Sequence, residues 1–202
     1  MSRAERLKWE RIYGTPDAVH GLEPTAFLVD AVRFVPPGRA LVVAMGEGRN
    51  AAFLARAGFR VEGIDVSLAA VRKATERVRR EGGNLVGVVA DLDDFPLREA
   101  RYDLVCVSNF LDRSLFEPIA RAIRPGGALV WETFTRIHAA FGSPRSPAYL
   151  LDPGELRTRF ADFELCRYRE RILERDGKRR AVASLFATRQ RNGTADGVMY
   201  RP

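Results

Sequence analysis

The segment that decides the fold of this 202-residue chain reads Ala40-Leu41-Val42-Val43-Ala44-Met45-Gly46-Glu47-Gly48-Arg49-Asn50. Its apolar, partly β-branched run predicts a buried strand that ends at two glycines spaced one apart. A helical pattern begins directly afterwards, at Asn50. Such a turn leaves bare backbone and the unpaired N–H groups of a helix start facing a ligand. We therefore expect Gly46 and Gly48 to lie against a nucleotide-like molecule.

The rest of the chain alternates strand and helix patterns. Strands are predicted at 59–64, 85–90, 102–108 and 128–134, and long helical patterns occupy 68–81 and 115–123. This alternation predicts an α/β fold whose sheet is mostly parallel, with helices on both faces. Two further strand-like runs, 163–173 and 180–189, are joined through Asp176-Gly177, which is a hairpin signal. The sheet is therefore expected to finish in a C-terminal antiparallel hairpin.

Three segments are predicted along the chain. Residues 1–35 carry two helical patterns, at 2–13 and 23–35, and are interpreted as an N-terminal helical lid segment. Residues 36–190 form the α/β domain, and residues 191–202 have little pattern, which is typical of a flexible tail.

Composition narrows the class of protein. A hydrophobic content of 46% and a charged content of 29% are typical of soluble globular chains. No apolar run reaches the roughly 20 residues of a membrane span, and the N-terminus lacks a signal-peptide core, so we expect a cytoplasmic protein that uses no membrane. The net charge of +7 is spread along the chain with acids between the bases, which makes a nucleic-acid partner unlikely. Cys106 and Cys166 lack metal-ligand spacing, so no metal is expected.

Polar residues follow three successive predicted strands. Asp65 comes after the second strand, where a carboxylate can accept hydrogen bonds from ribose hydroxyls. Asp91 comes after the third, placed to meet an adenine amino group, and Asn109 follows the fourth. Because ligands of open parallel sheets bind at the carboxyl ends of strands, these side chains are expected to share one site.

Five motifs occur in a fixed order: Gly46-Glu47-Gly48-Arg49-Asn50, Gly63-Ile64-Asp65-Val66-Ser67, Ala90-Asp91-Leu92, Tyr102-Asp103-Leu104-Val105 and Arg124-Pro125-Gly126-Gly127. This series resembles class I S-adenosylmethionine-dependent methyltransferases. Together with the N-terminal element Trp9-Glu10-Arg11-Ile12-Tyr13, it is most similar to the small tellurite-resistance-like methyltransferases. The resemblance covers residues 8 to 190. It implies a Rossmann-like seven-stranded sheet with an antiparallel last strand, and S-adenosylmethionine as cofactor.

The resemblance also implies a set of cofactor-binding residues. Gly46 and Gly48 would lie against the methionine part, Asp65 would hold the ribose, and Asp91 with Leu92 would contact adenine. The complete predicted set is Tyr13, Gly46, Glu47, Gly48, Asn50, Asp65, Val66, Asp91, Leu92 and Asn109.

The first strand departs from the family pattern. Members usually carry an acid at the position of Val42, and glycine and cysteine at those of Ala44 and Met45. The acid organises the turn and the methionine ammonium in the family, so its absence predicts weaker cofactor binding or compensation by another acid such as Glu47 or Asp112.

No catalytic residue is assigned from the sequence. Methyl transfer from a sulfonium requires alignment of the acceptor more than proton transfer, so a general base is optional. The candidates are His138, His20 and Tyr149; for His138, a surface loop histidine without a catalytic role is the competing interpretation. We expect a small-molecule acceptor and a monomer or homodimer.

Three other functions are considered. Gly46-x-Gly48-x-x-Ala51 with Asp65 also fits an NAD-dependent oxidoreductase, although no hydride-transfer set accompanies it. Val42 leaves open a non-catalytic relative that binds S-adenosylmethionine. A nucleic-acid methyltransferase is disfavoured because Ser108-Asn109-Phe110-Leu111 lacks the Asn-Pro-Pro-aromatic pattern that grips a flipped base.

Overall fold

Seven strands and six α-helices follow one another in a computed structural model that describes residues 3–175 and 177–191. The helices are α1 Arg3–Tyr13, α2 Ala26–Val32, α3 Arg49–Arg56, α4 Leu68–Arg80, α5 Phe116–Ala122 and α6 Glu155–Arg159. The strands are β1 Arg39–Val43, β2 Arg60–Asp65, β3 Leu85–Val89, β4 Tyr102–Ser108, β5 Ile123–Phe134, β6 Phe163–Arg175 and β7 Lys178–Arg189. The tail predicted to be flexible lies, from residue 192 onward, outside the described residues.

The strands form a single sheet in the order β3-β2-β1-β4-β5-β7-β6. Strands β1 to β5 pair in parallel, whereas β7 runs antiparallel to β5 and β6 runs antiparallel to β7. The predicted Rossmann-like sheet with a terminal antiparallel hairpin is thus confirmed. Chain order reverses between β1 and β4, so a crevice is expected at the carboxyl ends of these two strands.

Alternate residues of β1 face two separate apolar layers, as the strand period of two requires. Leu41 and Val43 belong to the layer that contains Ile119 of α5. Val42 belongs to the opposite layer, with Leu54 of α3. Helices therefore cover both faces of the sheet, as the sequence predicts.

Two predicted boundaries differ from the observed ones. Helix α2 begins at Ala26 rather than near residue 23, because Thr25 has an extended backbone (ψ 132°) and is the N-cap residue; its amide donates to the side chain of Asn50 (3.0 Å). Strand β5 begins at Ile123 rather than at Ala128; the register shifts there, and the added residues include the predicted Pro-Gly-Gly turn.

The N-terminal segment, residues 3–25, lies at the carboxyl ends of the parallel strands, where the glycine turn follows β1. Helix α1 contacts α4, and the chain after Tyr13 then crosses the turn to reach α2. In residues 3–175 and 177–191, no helix combines the length and apolarity that a membrane crossing requires.

Candidate active site

The glycine turn follows β1 and opens α3. Gly46 (φ 54°) and Gly48 (φ 78°) both adopt left-handed backbone, the conformation that glycine permits without strain. A Cβ on Gly48 would lie 2.6 Å from the Cβ of Ala74 in α4, whereas one on Gly46 would lie 3.0 Å from the hydroxyl of Tyr13. Gly48 therefore allows α3 and α4 to approach closely, and Gly46 faces the crevice that Tyr13 covers.

Asp65 joins the end of β2 to the glycine turn. Its carboxylate, in a residue only 6% exposed, accepts hydrogen bonds from the amides of Gly46 (2.8 Å) and Ser67 (3.0 Å). Burial raises the pKa of this carboxyl, and the backbone hydrogen bonds act in the opposite direction. A carboxylate offers about four lone-pair sites. Asp65 therefore retains acceptor capacity for ligand hydroxyls, which fits the ribose role that the resemblance implies.

Tyr13 covers the turn with its phenol ring. The ring is buried, stacks on Trp9 (centroids 5.6 Å apart) and meets His20 edge to face (6.1 Å). Burial, and then the charges of Asp65 and Glu47, raise the pKa of Tyr13. The hydroxyl above Gly46 is therefore neutral and can donate a hydrogen bond.

Glu10 fixes α1 to the start of α4. Its carboxylate accepts from the hydroxyl of Ser67 (2.6 Å) and from the amide of Ala69 (3.2 Å). The hydroxyl of Ser67 in turn accepts from the amide of Ala70 and caps α4. The Ser67 hydrogen bond is the main cause that lowers the pKa of Glu10, so an anion sits at a helix N-terminus, where the helix dipole favours it.

Glu47, predicted as a cofactor ligand, is buried among protein partners. Its Oε2 accepts from the amide of Val19 (2.7 Å), and its Oε1 pairs with the ammonium of Lys73 (2.9 Å). The structure therefore places this carboxylate as an anchor between the N-terminal segment and α4.

Asn50 and Arg49 hold the same segment from the start of α3. Asn50 accepts from Thr25 and donates to the hydroxyl of Ser108 at the end of β4 (2.9 Å). The guanidinium of Arg49 donates to the carbonyl oxygen of His20 (2.9 Å). The motif Gly-Arg-Asn thus secures the segment that crosses the turn.

The other predicted cofactor residues lie at the carboxyl ends of neighbouring strands. Asp91, half-buried after β3, accepts from the amide of Asp93 (3.2 Å), and Leu92 is buried in the adjoining apolar layer. Val66 is half-buried beside Asp65. Asn109 has a left-handed backbone (φ 55°) after β4. These positions share one edge of the sheet with the glycine turn.

The three candidate catalytic residues are dispersed. His138 is only 3% exposed and stacks on Phe134 (4.2 Å), so the competing interpretation of a surface loop histidine is wrong. Its Nε2 lies 3.0 Å from the carbonyl oxygen of Ser143, and its Nδ1 has no hydrogen-bond partner among the described residues. Tyr149 is exposed and donates to Glu5 of α1.

His20 is the candidate that lies nearest the turn, against the ring of Tyr13. Desolvation by the surrounding residues lowers the pKa of its imidazole, and the positive charge of Arg49 adds to the effect. A neutral imidazole beside Tyr13 is the expected state near pH 7.

Glu132 is a buried acid at the same end of the sheet that the sequence analysis did not single out. It lies near the end of β5, is 6% exposed, and accepts from the hydroxyl of Ser184 (2.7 Å). Its register neighbours are Ser108 on β4 and Ser184 on β7. The sequence does carry a signal for it, because Glu132 is an acid inside the otherwise apolar run 128–134. Charged residues are rarely buried on a central strand unless they have a partner or a function.

In the part of the chain that the structure describes, no group of three or more His, Cys, Asp or Glu side chains is arranged so that it could hold a metal ion.

Comparison with known families gives one domain match. The family described as a methyltransferase domain matches residues 40–127, which span β1 through the Pro-Gly-Gly turn. Hemagglutinin 1 of Eikenella corrodens is 30% identical over 166 residues, covering 76% of this chain and 53% of that protein. Demethylmenaquinone methyltransferase of Renibacterium salmoninarum is 32% identical over 125 residues, covering 59% of this chain and 50% of that protein. The chain thus spans about half the length of these curated relatives.

Solved structures share the fold. TehB from Haemophilus influenzae superposes with a TM-score of 0.70 at 20% identity, over 90% of this chain and 66% of that one. The N-methyltransferase NodS from Bradyrhizobium japonicum, in complex with S-adenosyl-L-homocysteine, gives a TM-score of 0.70 at 16% identity, over 91% of this chain and 97% of that one. Residues 40–127 thus match a methyltransferase domain, and the seven-stranded sheet has the fold of these solved structures, in agreement with the resemblance to class I S-adenosylmethionine-dependent methyltransferases.

Proposed function

We propose that this protein transfers a methyl group from S-adenosylmethionine to a small-molecule acceptor. The observation that carries the proposal is the buried carboxylate of Asp65, which binds the amide of Gly46 and so fixes the glycine turn against the end of β2. The cofactor itself supplies a methyl group on a positively charged sulfur that acts as a good leaving group. The protein then has to hold the donor, orient the acceptor and exclude water.

The residues of the turn and strand ends would hold the cofactor. Gly46 presents backbone without a side chain, and Asp65 keeps free lone pairs for ribose hydroxyls. Asp91 and Leu92 supply a polar and an apolar contact one strand further along the sheet. Asn109 stands across the crevice, at the end of β4.

The N-terminal segment would exclude water from the reacting groups. Tyr13 covers Gly46, and the anchors at Glu10, Glu47 and Asn50 tie residues 10–25 to α4, the turn and β4. Because the segment buries these polar anchors, its closure would shield the donor from hydrolysis.

A small acceptor is supported by the name of one relative, demethylmenaquinone methyltransferase. Outside the sheet and its six α-helices, residues 3–175 and 177–191 add three short 3-10 turns and loops, and no separate nucleic-acid-binding module is formed by these described residues.

The test is calorimetric titration with S-adenosylhomocysteine and, separately, with NAD. Micromolar binding of S-adenosylhomocysteine, with no heat from NAD, is the expected result. Binding of NAD alone would refute the proposal in favour of a dinucleotide oxidoreductase.

A non-catalytic relative that only binds the cofactor is the second candidate. The observation that favours it is Val42, which is 1% exposed inside the apolar layer where family members carry an acid. One measurement distinguishes the two functions. Purified protein is incubated with methyl-labelled S-adenosylmethionine and a protein-free extract of small molecules, and a labelled product that is absent without the protein shows methyl transfer.

A further inference from the structure

Three arginines from different parts of the chain surround the end of β5. Arg49 begins α3, Arg169 lies on β6, and Arg180 lies on β7. Arg169 is paired in register with Ser184, the residue whose hydroxyl binds Glu132. The sheet therefore brings Arg169 to the same face as Glu132, on the side covered by α2.

The guanidinium of Arg169 is short of partners. Its central carbon lies 4.7 Å from the ring centroid of Phe27 in α2, so the group is stacked on an aromatic face. Its Nε and Nη2 are occluded from solvent and have no hydrogen-bond partner among the described residues. A buried donor without a partner is destabilising, so an acceptor that enters here would be favoured.

The charges around Glu132 are unbalanced. Arg180 is close enough to lower the pKa of both Arg49 and His20, after the larger effect of desolvation. No ion pair within the described residues involves Arg49, Arg169 or Arg180. The charged groups that act on Arg49 or Arg169 include the guanidiniums of Arg167, Arg171 and Arg180 and the carboxylates of Glu132 and Asp30. Positive charge is thus concentrated around Glu132.

The basic cluster formed by Arg49, Arg169 and Arg180 borders the proposed S-adenosylmethionine site. Arg49 directly follows Gly48, and its side chain holds the carbonyl oxygen of His20, whose ring contacts Tyr13 above Gly46. Glu132 is the register neighbour of Ser108, which binds Asn50 of the same helix start. An acceptor bound at the cluster would therefore lie next to the turn.

We propose that Arg169 and Arg180, with Arg49, bind the carboxylate of an anionic methyl acceptor. This inference rests on the proposed function, since it names the class of acceptor for the same site. Arginine suits the role because its planar fork pairs with a carboxylate through two hydrogen bonds. A single carboxylate matches the two donors of Arg169 that lack partners among the described residues, whereas an RNA would present a run of phosphates.

The test uses three probes of similar size and different charge: benzoate, benzamide and benzylamine. Each is titrated into protein saturated with S-adenosylhomocysteine. Benzoate is expected to bind at least about tenfold more tightly than either of the others. Absence of benzoate binding up to about 10 mM, equal binding of all three probes, or preference for benzylamine would overturn the inference.

Substitutions then locate the binding group. Arg169→Gln and Arg180→Gln are each expected to weaken benzoate binding by about tenfold or more, with S-adenosylhomocysteine binding within about twofold of the wild type. Arg60→Gln is the matched control. Arg60 is exposed at the amino end of β2, whereas the cluster lies around the carboxyl end of β5. Thermal melts show whether Arg169→Gln and Arg180→Gln fold. If one of them does not, benzoate binding by the other variant tests the inference.

Two outcomes would assign the arginines elsewhere. If Arg180→Gln weakens S-adenosylhomocysteine but not 5′-methylthioadenosine, which lacks the amino-acid carboxylate, the cluster holds the cofactor and the inference is wrong. If a short RNA displaces benzoate with a steep salt dependence, the ligand is a polyanion. Failure of the proposed function is distinct: S-adenosylhomocysteine itself would then not bind to the wild-type protein.

Discussion

The amide of Gly46 donates to the carboxylate of Asp65 across 2.8 Å, although the two residues are 19 positions apart in the chain. This bond fixes the turn after β1 to the end of β2. Because the same carboxylate is proposed to hold the ribose, Asp65→Ala is expected to weaken S-adenosylhomocysteine binding by about 1–3 kcal/mol. Isothermal titration measures the loss. The matched control is Asp162→Ala, at an exposed position before β6, and equal affinities of the two variants would place the ribose elsewhere.

The two glycines of the turn should respond differently to alanine. Gly48→Ala forces its Cβ to 2.6 Å from the Cβ and 2.8 Å from the Cα of Ala74, so helix α3 must move away from α4. We expect a loss of about 2–3 kcal/mol of unfolding free energy, from overpacking and left-handed strain together. Urea denaturation measures it. Gly82→Ala is the control, since Gly82 has a similar φ (74°) and open space around it, and it should lose only about 1 kcal/mol.

Gly46→Ala should affect binding more than folding. The atom nearest to its Cβ would be the hydroxyl oxygen of Tyr13, at 3.0 Å, which is the far end of a side chain and not backbone. The expected result is a reduced affinity for S-adenosylhomocysteine with a smaller loss of stability than in Gly48→Ala. The reverse order of stabilities would contradict this division of roles.

Ala44 adopts the left-handed conformation (φ 47°) at the position where the family commonly has glycine. A non-glycine residue pays about 1–2 kcal/mol there. Ala44→Gly is therefore expected to raise the unfolding free energy by about 0.5–1 kcal/mol, because relief of strain exceeds the added entropy of the unfolded chain. A higher urea midpoint with an unchanged slope is the predicted signature. Ala120→Gly within α5 should instead lose about 1 kcal/mol, and loss of stability in both variants would refute the strain argument.

The backbone and the strand-end residues could be predicted because they depend on local signals. Apolar runs of strand length, glycines after β1 and an acid after β2 appear within about 30 residues, and they place Gly46 and Asp65 together in the structure. The destination of Glu47 could not be predicted in this way. Its partners Val19 and Lys73 lie 28 and 26 residues away, on elements whose relative position only the fold determines.

The acceptor side depends even more on long-range packing. Glu132, Arg169 and Arg180 belong to three strands that pair only through the terminal hairpin, so no sequence spacing marks them as neighbours. His138 is buried because a short helical turn folds its ring onto Phe134, a contact that a loop-like sequence does not signal.

Val42 cannot accept the family acid without a cost. It is 1% exposed between apolar neighbours that include Met45 and Leu54. Val42→Asp is expected to lose about 3–5 kcal/mol of stability at pH 7, because an unpaired carboxylate would be buried. Burial raises the pKa of such a group, so the loss should shrink as pH falls and the carboxyl is protonated. Urea denaturation at pH 5 and pH 7 tests this, with Val42→Asn as the neutral control. A stable variant with tighter S-adenosylhomocysteine binding would contradict the expectation and support the non-catalytic alternative.

The attachment of α1 should depend on the ionisation of Glu10. Its pKa is lowered by the Ser67 hydroxyl, so the contact contributes stability above the ordinary glutamate value of about 4.3 and loses it as pH falls through the lower folded-state value. Trp9, which stacks on Tyr13 in the same helix, reports the contact by fluorescence. We expect the Trp9 fluorescence of the wild type to change below about pH 4, as the contact is lost. In Glu10→Gln, the fluorescence should match that of the wild type at low pH over the whole pH range. The free energy of unfolding of this variant should be about 0.5–1 kcal/mol lower. Trp9→Phe identifies which part of the emission belongs to this helix. A wild-type transition that persists unchanged in Glu10→Gln would assign the pH dependence to another carboxylate.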